Sequence, residues 1–257
     1  MNIQPFKTND SSVTEASKVL LYGHQGAGKT TAIGDYYKAY GSGLVLSGES
    51  GLSSISDLPI DYLPFSSFDR PVTNGYSFRD LSEYVKSSEF KAKEYKWIAL
   101  DSATELSQRC FADTQKEFAD GDLRVWGAYE RKITAALKWI RDLDMNVLIT
   151  CLAAEEADDN GVTQYWPMLV QKKVQKLTPA LYDHVFCLVR NTTEENGRLK
   201  VSRHLITDQV HGWNGKSRDA HRRLQPIEDT SNVTSLLKKV YMTEDEVKSS
   251  QSKGVPS

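Results

Sequence analysis

The sequence is short of cysteine, of long apolar runs and of any charge excess, and each shortage closes off a class of protein. Its three cysteines, Cys110, Cys151 and Cys187, are odd in number and far apart, with no Cys-x-x-Cys pair. That spacing supports neither a disulfide framework nor a zinc cluster. Cys151 and Cys187 lie inside apolar runs and read as core thiols. The five histidines, His24, His184, His204, His211 and His221, fall in no His-Glu-x-x-His spacing, so a metal site made of protein side chains alone is not expected. No Gly-x-Ser-x-Gly elbow or Cys–His signature for a nucleophile is present. No stretch nears the roughly 18 apolar residues that span a bilayer. The polar N-terminal sequence has no signal-peptide core. The expectation is a cytoplasmic protein without a membrane partner. A net charge of −2 provides no global field to draw in nucleic acid.

What is present is an alternation of short apolar runs and helical patterns. Residues 1–16 are polar and aperiodic and read as a flexible arm. Lys18–Tyr22 is a buried-strand run, followed by helical pattern from Gly28 to about Tyr40. Leu44–Leu46 is a second run. Residues 51–76, rich in Ser, Pro, Gly and Asp, read as loop, and Phe78–Phe90 as one amphipathic helix. Trp97–Leu100 is a third run ending on Asp101, and helical pattern resumes from Ala103 to Phe118 until Asp120-Gly121-Asp122 breaks it. Tyr129, Ile133, Leu137 and Ile140 mark one helix face. Asn146–Leu152 is a fourth run, followed by a polar stretch from Glu155 to Thr163. Val185–Val189 is a fifth, paired with Arg198–Ile206 through a turn at Glu195-Asn196-Gly197. A short helix is expected near Val233–Tyr241. The fold class is therefore α/β, a mostly parallel central sheet with helices on both faces and an antiparallel C-terminal hairpin. The expected division is an arm over 1–16, a core over 17–228, and a helix with a polar tail over 229–257.

The most specific motif is Gly23-His24-Gln25-Gly26-Ala27-Gly28-Lys29-Thr30, which fits Gly-x-x-x-x-Gly-Lys-Ser/Thr between a strand and a helix. Its glycines allow backbone conformations in which successive N–H groups point at phosphate oxygens. The helix that follows turns its positive end to the same anion. Gly23, His24, Gln25, Gly26, Ala27, Gly28, Lys29, Thr30 and Thr31 are the candidate contacts of a nucleoside triphosphate, read as ATP. Lys29 is assigned to the β- and γ-phosphates and the Thr30 hydroxyl to Mg2+. Asp101, at the tip of a strand, is the second metal candidate. Glu49, after the second apolar run, is the candidate that orients or activates water.

This layout resembles the RecA-like ATPase core, over about residues 18–225. The resemblance implies Glu49 as the activating glutamate and Asp101 as the magnesium aspartate. Thr150 would be the polar residue at a strand end that senses the γ-phosphate. Trp97–Leu106, Arg141–Glu156 and Gly215–Pro226 are similar to short phage RecA-like ATPases of recombination and single-strand annealing. That resemblance implies ATP hydrolysis with Mg2+, single-stranded DNA as partner and assembly into a ring or filament. A single-strand-binding protein is a further possible partner. Lys216 and Arg218, separated by one residue, resemble the late cation pair that DnaB-type helicases deliver to a neighbouring subunit's ATP. A helicase-like ring or helicase loader, and a regulatory module without DNA, are the rival readings.

DNA contact is expected in two places. One is Asp120–Tyr129 and its continuation, with Arg124, Trp126, Tyr129 and Arg131, where core packing of the aromatics competes with base stacking. The other is Ala153–Lys173, where Glu155, Glu156, Asp158 and Asp159 oppose phosphate while Lys172, Lys173 and Lys176 and the Gln164-Tyr165-Trp166 run favour it. Residues 190–223 add eight Lys and Arg against four acids, a possible local basic surface.

Overall fold

A computed structural model describes residues 16–49, 51–73, 75–243 and 246. The expected arm lies almost wholly outside the described residues. In chain order the elements begin with β1 (Lys18–Gly23), α1 (Lys29–Tyr40), β2 (Gly43–Ser47), β3 (Asp61–Ser67) and β4 (Tyr76–Ser77). Next come α2 (Phe78–Lys86), α3 (Ser88–Ala92), β5 (Trp97–Asp101), α4 (Ala103–Gln115) and α5 (Arg124–Arg141). The chain continues through β6 (Asn146–Ala157), β7 (Thr163–Pro167), α6 (Lys172–Leu177), β8 (His184–Glu195) and β9 (Arg198–Ile206). Short strands β10 (Gln209–Val210), β11 (Trp213–Asn214), β12 (Lys216–Ser217) and β13 (Ile227–Glu228) precede α7 (Val233–Tyr241).

The main sheet runs in the order β13-β9-β8-β1-β6-β5-β2-β3-β4. From β8 to β4 every neighbouring pair is parallel, and β9 and β12 close the other side antiparallel to β8. Strands covered on both faces must be apolar throughout, which is why β1, β2 and β5 read as continuous apolar runs. Alternate residues face opposite layers. Leu20, Tyr22, Leu44, Leu46, Ile98 and Leu100 pack with α2, α4 and α5. Val19, Leu21, Val45, Trp97, Ala99 and Leu148 pack with α1 and α7. Val233, Leu236 and Leu237 place α7 in that second layer.

Three local expectations are corrected. The supposed loop over 51–76 contains β3, parallel to β2 from Leu44↔Asp61 to Ser47↔Pro64. Its outer neighbour is only the two-residue β4, so half of it is exposed and it tolerates a proline that a central strand would not. Phe78–Phe90 is two helices rather than one. Ser77 and Asp80 form a capping box on α2, and Ser87 stops that helix and caps α3 through Phe90 N–H at 3.1 Å. The polar stretch after Leu152 is an extension of β6 to Ala157 that folds back antiparallel as β7. Asp158 makes the turn by accepting from Asn160 N and Val162 N, both at 2.9 Å.

The hairpin expected between β8 and β9 forms with Arg190 opposite Arg203 and Glu195 opposite Arg198. Asn196 and Gly197 both take positive φ, as its two-residue turn requires.

Gly43 gives a direct test of this packing. A Cβ there would lie 2.0–2.5 Å from the buried Trp97 indole, whose Nε1 donates to Gly41 O at 2.9 Å. Gly43→Ala is expected to cost about 1–3 kcal/mol in urea unfolding, as overpacked cores do. The cost shrinks in a Trp97→Phe background, where the ring is smaller.

Candidate nucleotide-binding site

Gly23 ends β1 so close to β8 that a Cβ on it would lie 2.3 Å from Leu188 O. The chain then turns through exposed His24, Gln25 and Gly26 to buried Ala27. Gly28, at φ +111°, gives entry to α1. No side chain caps α1 and no acid lies in its first turn. Its leading N–H groups are thus left for an anion, which the helix dipole favours. Thr31 is exposed one residue beyond Thr30. Lys29 Nζ donates to Gly23 O at 3.0 Å and to His24 O at 2.9 Å. It lies across the concave side of its own loop. Burial lowers its pKa, and the nearby Cys151, Glu49 and Asp101 oppose that shift.

Asp101 is 2 % exposed at the end of β5. Thr150 Oγ1 donates to its Oδ1 at 2.5 Å and Thr30 Oγ1 to its Oδ2 at 3.2 Å. Burial raises the carboxyl's pKa, and the Thr150 hydrogen bond works against that shift. Asp101 does not cap α4. Ser102 does that, accepting from Glu105 N at 3.4 Å. The Asp101 carboxylate is therefore directed to Thr30 and Thr150.

Glu49 sits just past β2. Ser102 Oγ donates to Glu49 Oε1 at 2.5 Å, and Ser47 Oγ donates to Glu49 O at 2.7 Å. Gly48 N–H donates to Asp101 O at 2.7 Å, joining the two strand ends. Arg109, from α4, donates to Gly48 O and Ser66 O, both at 2.7 Å. A Cβ built on Gly51 would lie 3.9 Å from Thr30 Oγ1 and 4.0 Å from Glu49 Oε2.

The structure therefore brings Lys29, Thr30, Glu49, Asp101 and Thr150 to one edge of the sheet. The donor set fits magnesium. Mg2+ needs one or two protein oxygens and takes the rest from phosphate and water, and a Thr hydroxyl stands beside a carboxylate here. Among the described residues no cluster of three or more His, Cys, Asp and Glu could hold a metal by itself.

Sequence reasoning missed several groups. Ser102 and Arg109 hold Glu49 and its loop. The Ser102-x-x-Glu105 spacing was legible as a helix cap, but its second contact was not. His24 packs edge-on against Tyr165 and Trp213, with centroids 5.5 and 5.3 Å away, and its Nε2 is 3.7 Å from Glu155. Tyr165 and Trp213 stack at 4.2 Å. The phosphate loop thus rests on β7 and β11. Arg203, in β9, donates from Nε to Ala27 O at 2.9 Å.

Lys216 and Arg218 lie elsewhere. β12 pairs with the start of β8, Lys216 opposite Val185, whereas the phosphate loop follows the end of β1. Lys216 Nζ donates to Pro179 O at 3.1 Å, and Arg218 pairs with Asp183 at 2.9 Å. Neither touches this chain's own loop. Of the first DNA-contact candidate, Tyr129 is buried, with its hydroxyl against Ser107 Oγ at 2.5 Å. Trp126 stacks on Phe111 at 4.7 Å while 38 % exposed, and Arg124 pairs with Asp122. In the second, Lys172 and Lys176 face Glu156 and Lys173 pairs with Glu130.

Residues 15–219 match a protein-family model described as an AAA domain, AAA_24. The chain belongs to that family. No curated protein matches it. Solved structures similar to it include a KaiC-like protein from Pyrococcus horikoshii OT3, 16 % identical, with TM-score 0.44 over 82 % of this chain and 84 % of that one. The flagellar accessory protein FlaH from Methanocaldococcus jannaschii is 11 % identical, with TM-score 0.42 over 83 % and 84 %. The RadB recombinase is 10 % identical, with TM-score 0.39 over 88 % and 97 %. No helix among the described residues is long and apolar enough to cross a membrane.

The buried Asp101 has a consequence without any ligand. Its folded pKa lies above the unfolded one. Its contribution to stability is therefore full below the ordinary carboxylate pKa and is lost as pH rises through the raised value. Asp101→Asn is expected to raise the melting temperature of the ligand-free protein most at alkaline pH, where the buried carboxyl is charged, and to abolish the rise that Mg2+ with ATP is expected to give the wild type.

Proposed function

We propose that the chain is a RecA-like ATPase that binds Mg-ATP at Gly23–Thr31 and hydrolyses it. The supporting observation is the convergence of Thr30, Asp101, Thr150 and Glu49 on one edge of parallel strands beside Lys29. Magnesium would supply charge neutralisation at the phosphates. Thr30 and Asp101 would hold it, and Lys29 would leave its loop carbonyls for phosphate oxygens. Glu49, an exposed carboxylate oriented by Ser102, would accept a hydrogen bond from the attacking water and take its proton. Thr150, already donating to Asp101, is positioned to register the state of that carboxylate.

The proposal extends to assembly. Lys216 and Arg218 lie away from their own loop, as cations that serve a neighbour's site would have to. Lys216 borders a cleft of about 770 Å3 that Lys176, Arg222 and Trp166 also line. In a ring or filament this edge would meet the next subunit's nucleotide, making turnover depend on assembly. Single-stranded DNA is the proposed effector, in phage recombination or annealing. Half-exposed Trp126 beside Arg124 offers a base-stacking surface.

A second reading has an observation of its own. The lysines after β7 are neutralised by Glu156 and Glu130 and Arg124 by Asp122, which suits a nucleotide-dependent module without DNA. Turnover with and without single-stranded DNA separates the two. The proposal expects stimulation by DNA and a fall of about 10²–10⁴ in kcat for Glu49→Gln with ATP still bound. Lys29→Ala is expected to lose binding. Turnover unchanged by DNA, with no retention of the oligonucleotide, sinks the DNA role and leaves the ATPase standing.

The trans assignment has a separate check. Mixing Lys29→Ala with a Lys216→Ala, Arg218→Ala double variant is expected to restore part of the activity each lacks alone, because an intact loop then faces an intact cation pair. Loss of an arginine-finger cation costs about 10³ or more in kcat. No recovery on mixing assigns the pair to a role within its own subunit.

A further inference from the structure

The root of the β8–β9 hairpin forms one wall of the phosphate loop. Leu188 passes against Gly23, and Arg203 Nε donates to Ala27 O at 2.9 Å. A Cβ on Gly28 would lie 3.4 Å from that Nε, so the guanidinium lies against the loop. Directly opposite Arg203 across the hairpin stands Arg190. Residues directly opposite share a face, and like charges so placed repel. Both side chains are exposed, and neither has an ion-pair partner among the described residues. Farther out on the same hairpin a lysine is matched: Lys200 pairs with Glu195 at 3.3 Å. Of that unmatched pair, Arg203 borders the loop. Only Nε of Arg203 is engaged, leaving two Nη groups in the fork geometry that takes phosphate oxygens.

We infer that Arg203 and Arg190 form an anion contact within the same subunit at the rim of the phosphate loop, and that it takes the terminal phosphate of a bound nucleoside triphosphate. This rests on the nucleotide site proposed above. The contact does two things. It relieves the repulsion between the two arginines when a triphosphate is present, and it ties the hairpin's position to the nucleotide's phosphate count. After hydrolysis the anion nearest the pair departs and the repulsion returns. The hairpin, which projects past the sheet with Leu199 75 % exposed, is then held differently in the two states. These arginines are distinct from Lys216 and Arg218, which stand at the opposite end of β8.

A rival role for Arg203 is to prop the loop through Ala27 O alone. Arg190 separates the two, since it has no contact with the loop. The test is titration calorimetry of the full chain with a non-hydrolysable ATP analogue and with ADP, each with Mg2+, on wild type, Arg190→Met, Arg203→Met and Lys29→Ala. Each arginine variant is expected to weaken the triphosphate analogue by about tenfold, the worth of one charge-assisted hydrogen bond. The diphosphate affinity stays at the wild-type value. Equal weakening of both nucleotides by Arg203→Met, with Arg190→Met silent, reduces Arg203 to a prop and overturns the inference. So does unchanged affinity in both variants, or a loss confined to retention of a single-stranded oligonucleotide. If wild type binds neither nucleotide, the nucleotide site itself fails and the inference falls with it. If wild type binds both and Lys29→Ala binds neither, that site stands whatever the arginines do.

Discussion

Burying a carboxylate at the edge of a parallel sheet is unfavourable unless hydroxyls or cations surround it, and Asp101 is the point on which the site turns. Thr150 and Thr30 each donate to one of its oxygens, so β6 and the first turn of α1 are fastened to β5 through a single side chain. Its backbone carbonyl accepts Gly48 N–H, which brings the start of the Glu49 loop to the same place. Four segments far apart in sequence thus meet at one carboxylate. The burial that raises its pKa is the cost of that meeting, and a divalent cation is the ligand best suited to recover it.

The other groups are arranged so that charge is held ready rather than spent. Lys29 occupies its own loop carbonyls. Glu49 takes one hydrogen bond from Ser102 and stays exposed. Arg109 holds the Glu49 loop by the Gly48 carbonyl and not by the carboxylate, and ties it to Ser66 O of β3. Each is a case of a neighbour positioning backbone so that a functional side chain stays unencumbered.

The phosphate loop also touches the two hairpins that leave the sheet. His24 rests on Tyr165 and Trp213, and Ala27 O is held by Arg203. The loop is thus joined to two hairpins, one formed by β6 and β7 and one by β8 and β9. The roots of both hairpins pack in the core layers through Ala153, Val185, Leu188 and Leu205, and their outer parts are exposed.

The apolar runs of β1, β2, β5 and β6, the helix after the phosphate loop and the Asn196-Gly197 turn were legible because each is a local pattern. Strands buried on both faces must be apolar throughout, glycines must sit where φ is positive, and the loop motif is contiguous. Asp101 and Glu49 were legible by position, as acids following apolar runs. β3 was hidden because a strand with one weak neighbour has no need of a continuous apolar pattern. The roles of Ser102, Arg109 and Arg203 were hidden for a different reason. A serine three residues before a glutamate reads as a cap, and an arginine in a basic stretch reads as surface. What the sequence by itself determined is the phosphate-loop motif and the acids that follow the apolar runs, since each is a residue type in a fixed local setting. Which distant groups hold Glu49, rest against His24 and lie beside Ala27 was decided only by the tertiary structure. Those contacts join residues 50 to 190 positions apart, and strand order and register, not local sequence, bring them within hydrogen-bond reach.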